Sequence, residues 1–456
     1  MDVNRIGIWD ITSKCNLRCA HCYNQERYWD KAESYKELSI TEIEQIINKL
    51  SNLSFTRIHL LGGEPLMAKN LEHLVLYAKK LNLEVTMVTN GTLLDEKMFY
   101  HLCNWGVTSI SISIDGTNAY ENDKIRGDGV FENVIRNLKK ALEIKRSLNS
   151  KIYLYLSFTL TKKNYKNSYN LPEFAERLGL DSVSVSYLSN EGEARKDFDG
   201  LDISLEEKFK FIDKVIQNHK KHRNVALHID SRSWLAEYIY KKHGESLVTD
   251  ELGCKGGNKQ FYILADGSLL PCSPTGTSMG KCLDKILGND PEFPNLIQNS
   301  VEDIINSKSH ICFYNYTRSK ETYQNIYPCN QCKYTCTACP LLYQKHKIVD
   351  ECVLAQKKVK EIDSETMLYR FKKEENIRTS DLNDRIEILD FINQNIYTLD
   401  ETALMIWEKI NGKSTVKEIA EEIYLNFQND PSINYAIIEE DVLEYIYHLK
   451  SLELIY

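Results

Sequence analysis

Three cysteines fall within eight residues near the start of the chain, in the run Cys15-Asn-Leu-Arg-Cys19-Ala-His-Cys22. Thiolates are soft ligands, suited to iron–sulfur clusters and to zinc. A structural zinc site closes itself with four ligands, and the nearest fourth candidate, His21, is cramped between Cys19 and Cys22. A 4Fe–4S cubane carries four irons. Three cysteines would leave one iron open to bind and reduce a ligand, which is redox chemistry rather than architecture. A second group lies farther along. Cys254 and Cys272 bracket Ile263-Leu-Ala-Asp266-Gly267, whose Asp-Gly pair reads as a hairpin turn. Cys329-x2-Cys332-x3-Cys336-x2-Cys339 then precedes Cys352. Thiolates at such spacings signal metal, with structural zinc as the generic rival. Cys103 stands apart and reads as a small buried hydrophobe.

The elements that must hold these groups follow from periodicity. Strand patterns over Ile6–Thr12, Arg57–Leu61, Glu84–Asn90, Ser109–Asp115, Tyr153–Thr159 and Ser182–Tyr187 alternate with helical patterns such as Ser39–Leu50, Asn70–Leu81, Phe131–Leu148 and Leu171–Leu178. Repeated strand–helix units predict an α/β fold, a parallel sheet curling into a partial (β/α)6 barrel. Its functional face is expected at the carboxyl ends of the strands, where the first cysteine loop falls. The cysteine-rich stretch beyond Cys254 has too little apolar surface for a core of its own, so bound metal is expected to hold it together.

The bulk properties narrow the partners. The 456 residues carry a net charge of −8 and 13 cysteines, which offers no footing for nucleic acid or an anionic membrane. No apolar run approaches the ~18 residues of a membrane span. The first residues lack the basic-then-apolar pattern of a secretory signal. A cytoplasmic, reducing location is expected, where cysteines serve metals rather than disulfides.

The cysteine triplet, with Tyr23 after it, resembles the signature of the radical S-adenosylmethionine (SAM) superfamily. The resemblance implies that Cys15, Cys19 and Cys22 hold a 4Fe–4S cluster whose open iron chelates SAM and cleaves it to a 5′-deoxyadenosyl radical. Gly62-Gly63-Glu64-Pro65 resembles the family's GGEP motif, which holds the SAM amino group. An ordinary turn is the plain alternative. By the same resemblance, Asn90 at the end of the third strand and Ser111, Ser113 and Asp115 at the end of the fourth face the cofactor. Arg126, in Asp123-Lys-Ile-Arg126-Gly127, stands near the SAM carboxylate. Alternation on a half-buried strand is the rival reading of the two serines. The second cysteine group resembles the SPASM extension with its two auxiliary 4Fe–4S clusters. That likeness implies Cys254, Cys272 and Cys339 for one cluster and Cys329, Cys332, Cys336 and Cys352 for the other, with the assignment of Cys336 and Cys339 open to exchange. The eighth ligand is Cys282, Cys312 or an open site for a substrate thiolate. Sulfatase-maturing members place a basic aspartate just after the cysteine matching Cys272; here Ser273 stands there, a poor proton acceptor.

From about Arg385 the pattern becomes a short hairpin, Glu387–Asp390 and Ile396–Leu399, followed by helices over Glu401–Ile410, Val416–Phe427 and Ile437–Leu452. The expected core is Ala403, Ile406, Trp407, Ile419, Ile423, Val442, Ile446 and Leu449. This segment resembles a PqqD-like, winged-helix-like α+β element that binds the leader of a ribosomal precursor peptide by strand addition. Residues 385–456 hold five Lys/Arg and fourteen Asp/Glu, which opposes DNA binding.

The expected organisation is a radical SAM barrel at 1–220, a bridging and SPASM region at 221–356, a helix or linker at 357–384 and the PqqD-like domain at 385–456. The expected function is maturation of a ribosomally synthesised peptide, most simply by Cys thioether crosslinks, with a reductase, flavodoxin or ferredoxin as electron donor. Carbon–carbon crosslinking and sulfatase-type maturation are the alternatives within the chemistry. A zinc-stabilised, non-enzymatic regulator is the alternative of another class.

Overall fold

The computed structural model describes residues 4–29, 36–230, 233–247, 255–276, 292–318, 348–381, 386–428, 430 and 432–456. They pack as two compact units, Met1–Asp230 with Thr249–Val349, and Ser231–Val248 with Asp350–Tyr456.

In the first unit the strands are β1 (Arg5–Asp10), β2 (Phe55–Leu61), β3 (Glu84–Thr89), β4 (Ser109–Ser113), β5 (Tyr153–Leu160), β6 (Ser182–Tyr187), β7 (Ala226–Ile229), β8 (Gln260–Ile263) and β9 (Leu269–Leu270). The sheet order is 7-6-5-4-3-2-1-8-9, with β1 to β8 parallel and β9 antiparallel to β8. All six strands expected from the sequence are present, and this α/β partial barrel continues past them on both edges. The Asp266-Gly267 turn joins β8 to β9, with Gly267 at φ +85°.

Between the strands lie α1 (Ile40–Asn52), α2 (Leu71–Lys80), α3 (Glu96–Trp105), α4 (Ala119–Arg126), α5 (Val130–Ser147), α6 (Leu171–Leu178) and α7 (Leu205–His219). Local chemistry marks their ends. Ser39 and Glu42 form a reciprocal capping box on α1, and Asp95 and Asn118 cap α3 and α4, each cap contributing about 1 kcal/mol. The core lies between helices and sheet. On β5, Leu154, Leu156, Phe158 and Leu160 alternate inward and are buried, each stabilising by roughly 1.5–3 kcal/mol. Trp9 on β1 is fully buried. Cys103 is only half-buried on α3, its Sγ 3.5 Å from Ser150 Oγ, because it sits at the edge of that helix's apolar face.

The second unit contains α8 (Ser233–His243) and α9 (Ile348–Met367, from Asp350 onward). A meander follows, of β10 (Ile377–Asp381), β11 (Ile386–Asp390) and β12 (Asn395–Leu399), and then α10 (Glu401–Lys409), α11 (Val416–Asn426) and α12 (Tyr435–Ser451). All eight expected core residues are buried. The stretch expected as a helix or linker over 357–384 holds most of α9 and, beyond it, the whole of β10. β10 escaped notice because Ile-Arg-Thr-Ser-Asp is mostly polar. Of its residues with a described burial only Ile377 is buried, while the exposed Thr379 accepts the Trp407 indole N–H at 3.0 Å. Among the described residues, no helix is long and apolar enough to cross a membrane.

Candidate active site

The loop after β1 carries Cys15, Cys19 and Cys22, all half-buried. Its path is fixed by backbone contacts with distant segments. The Ala20 N–H donates to Ile125 O at 2.8 Å, and the Glu193 N–H donates to Cys22 O at 2.9 Å. The Leu17 N–H points at Cys15 Sγ, 3.5 Å away. Burial pushes the Cys15 thiol up to about 11 and the Cys22 thiol up to about 12, and raises Cys19 as well. Buried thiols of this kind give up their protons only when a metal takes the charge. Among the described residues, no three His, Cys, Asp or Glu side chains converge as a single ion requires. A cubane presents its irons at separate corners, one thiolate to each. The donor set fits such a cluster and gives no closed tetrahedral zinc site among those residues.

The loop after β2 is stitched to the cysteine loop. The Gly63 N–H donates to Thr12 O at 2.8 Å and the Glu64 N–H to Lys14 O at 2.7 Å, while Asn24 Nδ2 donates to Gly62 O at 3.1 Å. A Cβ on Gly63 would lie 1.9 Å from Lys14 O, so only glycine allows this approach. Glu64 is 1% exposed. Its Oε1 accepts from Thr89 Oγ1 at 2.7 Å and the Leu66 N–H at 3.1 Å, and its Oε2 from the Asn90 N–H at 2.8 Å. Burial raises its pKa against those hydrogen bonds. A carboxylate offers about four acceptor positions. One remains on Oε2, suited to a cationic nitrogen. Asn90 Nδ2 donates to Asn16 Oδ1 at 2.9 Å, and Asn16 in turn reaches Thr92 Oγ1 at 2.8 Å, tying the end of β3 to the cysteine loop.

At the end of β4, Ser111 is buried and Ser113 half-buried. Asp115 is fully buried. Its Oδ2 lies 2.6 Å from His21 Nε2 and 2.7 Å from Arg126 Nε, and its Oδ1 accepts the Thr159 N–H at 2.8 Å. Burial works against its charge, yet Arg126 and His21 outweigh it and hold the carboxyl down at about 2. Burial likewise opposes the charge of Arg126, and Asp115 and Cys19 together raise its pKa. Asp115, expected to face the cofactor, and Arg126, expected near the SAM carboxylate, are thus paired with each other beside the cysteines.

Sequence reasoning missed a second buried network. Asp10 accepts from Tyr28 Oη and Tyr262 Oη, both at 2.7 Å, and Tyr23 Oη stands 3.2 Å from Tyr262 Oη. Its signal was present: a carboxylate ending the apolar run Ile6-Gly-Ile-Trp-Asp10. Of the second cysteine group, Cys272 is half-buried after β9 and Cys352 half-buried on α9. Cys254, Cys282, Cys329, Cys332, Cys336 and Cys339 lie outside the described residues. Cys312 is exposed. A separate apolar cavity of about 210 Å³, lined by Arg5, Leu53, Phe55 and Phe261, lies at the amino ends of the strands, away from this chemistry.

Comparison with known proteins assigns the regions. Residues 9–171 match the Radical SAM superfamily, 254–340 an iron-sulfur cluster-binding domain of the SPASM kind, and 386–455 coenzyme PQQ synthesis protein D (PqqD). Fe-coproporphyrin III synthase of Methanosarcina barkeri is 31% identical over 48% of this chain and 53% of its own length, so the chain spans about half of that relative. The sporulation killing factor maturation protein SkfB of Bacillus subtilis is 26% identical over 64% of this chain and 66% of its own. The crystal structure of Streptococcus suis SuiB bound to precursor peptide SuiA shares the fold, with TM-score 0.52 and 15% identity over 68% of this chain and 66% of that one. Radical SAM and SPASM domains are built around 4Fe–4S clusters and SAM. The three matches fall in barrel, cysteine-rich and C-terminal order, so the chain carries a Radical SAM region followed by SPASM and PqqD-like ones.

Proposed function

We propose that this protein matures a ribosomally made precursor peptide, installing thioether crosslinks from cysteine sulfur to carbon. The observation that carries the reading is the C-terminal unit. Its third strand, β12, pairs only with β11 among the described residues, so its other edge offers unpaired backbone groups. Ile396 on that strand and Phe391 and Ile392 at its turn are exposed. An extended leader adds to such an edge through main-chain hydrogen bonds, and the acidic surface suits a basic leader. Docking the leader raises the effective concentration of the core peptide at the barrel mouth.

Cys15, Cys19 and Cys22 would hold the SAM-binding cluster, which supplies reductive cleavage of SAM when bound and charged with an electron. Gly62, Gly63 and Glu64 receive the amino group of the cofactor, with Asn90, Ser111 and Ser113 along the carboxyl ends of the strands. Asp115 fixes Arg126 and His21 against the cysteine loop. Cys254, Cys272, Cys339, Cys329, Cys332, Cys336 and Cys352 would serve the auxiliary clusters. A flavodoxin, ferredoxin or their reductase in a reducing cytoplasm is the electron source this scheme needs. SkfB, named as a maturation protein, and SuiB, seen with a precursor peptide, support a peptide substrate.

The likeness to Fe-coproporphyrin III synthase favours a second reading, a porphyrin substrate, which leaves the PqqD-like unit without a task. The test uses the anaerobically reconstituted full chain with peptides encoded by neighbouring reading frames. A thioether replaces one C–H and one S–H bond by a C–S bond, so the product loses two hydrogens, with 5′-deoxyadenosine formed in step. Excess leader added in trans should inhibit by competition. Equal turnover of leaderless peptide, or turnover of coproporphyrin instead, would refute the peptide reading.

A further inference from the structure

Five residues past Cys22, in the single helical turn Gln25–Tyr28, stands Arg27, 5% exposed. A buried guanidinium is costly unless its charge and donors are met. Here the two terminal nitrogens are met, one from the same loop and one from a segment far off in sequence, while Nε has no hydrogen-bond partner among the described residues. Nη1 donates to Asn24 Oδ1 at 2.7 Å, and Asn24 itself holds Gly62 O. Nη2 donates to the backbone carbonyl of Ser273 and lies 3.1 Å from Ser273 Oγ. The guanidinium carbon sits 5.1 Å from the ring centroid of Tyr262 on β8. Asp10, the neighbouring buried carboxylate, supplies the opposite charge. One side chain therefore joins the loops after β1 and β2 to the residue directly after Cys272. The strand next to that arm is held in the same way, Tyr262 bonding to Asp10 and approaching Tyr23, the neighbour of Cys22.

We propose that Arg27 is a positioning residue that sets the place of Cys272, and with it an auxiliary cluster, against the SAM-cluster loop. Arginine is the residue type this needs. Its planar fork serves Asn24 and Ser273 at once while its face lies on a tyrosine, and lysine, a point charge on a flexible stem, cannot do both. The position following Cys272 is thereby committed to structure: the Ser273 carbonyl and hydroxyl are both engaged by Arg27. The distance between the two cysteine-bearing segments matters to any electron passed between clusters, so a fixed tether has a direct redox consequence. The proposal rests on Cys272 being a cluster ligand and not on the identity of the peptide.

The experiment uses the full chain, reconstituted with iron and sulfide without oxygen, and reads iron per chain, EPR spectra and cluster midpoint potentials. Cys272→Ala provides the reference for loss at that arm. Arg27→Gln is expected to retain the SAM-responsive signal of the N-terminal cluster while the auxiliary signal is lost or shifted in g-values and potential. Arg27→Lys is expected to keep the iron but still shift the auxiliary potential. Ser273→Ala, which removes only the longer contact, is expected to match the wild type. Unchanged auxiliary spectra and potential in Arg27→Gln would overturn the proposal, as would equal loss of every cluster, which marks a general folding role. An auxiliary signal indifferent to Cys272→Ala would also overturn it. None of these readouts involves the peptide, so failure here and failure of the maturase reading are distinguishable.

Discussion

Replacing Gly63 with alanine puts one methyl group where the two loops of the site meet. The new Cβ would lie 1.9 Å from Lys14 O, 2.3 Å from Lys14 C and 2.9 Å from Cys15 N, all backbone atoms. Real contacts of this kind do not fall below 3.0 Å, so the loops must part by at least 1.1 Å, or the Lys14 carbonyl must turn away. Parting stretches the Glu64 N–H bond to Lys14 O from 2.7 Å to about 3.8 Å, beyond any hydrogen bond. Turning the carbonyl removes the acceptor outright. The Gly63 bond to Thr12 O, at 2.8 Å, shares the same seam. Two buried hydrogen bonds lost at about 1–3 kcal/mol each give a penalty of roughly 2–6 kcal/mol, borne by the segment that carries Cys15 and Glu64.

The assay is anaerobic reconstitution followed by iron analysis and EPR of the reduced protein with and without SAM. Gly63→Ala is expected to lose the SAM-induced change in the N-terminal cluster spectrum, together with part of its iron. Gly179→Ala is the control. Gly179 has a positive φ, +84°, and a Cβ there meets nothing within 4 Å, so its cost is confined to the backbone at about 1–2 kcal/mol. A Gly63→Ala protein with wild-type iron and a wild-type response to SAM would refute the claim that this seam shapes the site.

Further outcomes follow from neighbouring residues. Asp115→Asn keeps the shape but strands the Arg126 charge in the interior, expected to cost about 3–5 kcal/mol in urea unfolding of the apoprotein. The Asp115 carboxyl is held down at about 2 in the folded chain, so its contribution, roughly 2 kcal/mol, is complete above pH 4 and fades as pH falls towards 2. The stability gap between wild type and Asp115→Asn should therefore be constant above that window and narrow within it, as the wild type alone loses this contribution. Cys19→Ala, or iron chelation of the wild type, should abolish 5′-deoxyadenosine formation measured by chromatography, and zinc should not restore it. Thr379→Val removes the acceptor of the Trp407 indole and is expected to destabilise the C-terminal unit by about 1–3 kcal/mol, read from the denaturation midpoint.

The sequence disclosed what repeats along the chain and what is spaced within it. The six parallel strands follow from alternation bounded by helical periods, and the eight apolar positions of the C-terminal unit from helical spacing; both are local signals. The cysteine loop and the Gly62–Glu64 loop were legible because composition at fixed offsets is itself the chemistry. The contacts across sequence distance were not legible. No local pattern says that Asp115 closes on His21 and Arg126, or that Arg27 reaches Ser273 across 246 positions. β10 was hidden for a related reason: a short edge strand whose one apolar residue is Ile377 has too few apolar positions to announce its period.

These non-local pairs share one electrostatic logic. Raised thiol pKa values mean that the apoprotein resists charging Cys15, Cys19 and Cys22. Arg126 lies close enough to Cys19 and Cys22 for their charges to raise its own pKa, so a guanidinium is already in place where thiolate charge must accumulate. Left alone, that buried cation would be a liability. Asp115 balances it, and Asp115 is kept ionised by the same His21 that sits inside the cysteine run. The loop that binds metal therefore supplies one of the groups that stabilise its own counter-charge. Removal of Asp115 should for that reason weaken both the fold and metal loading, whereas a mutation of the barrel core should weaken the fold alone.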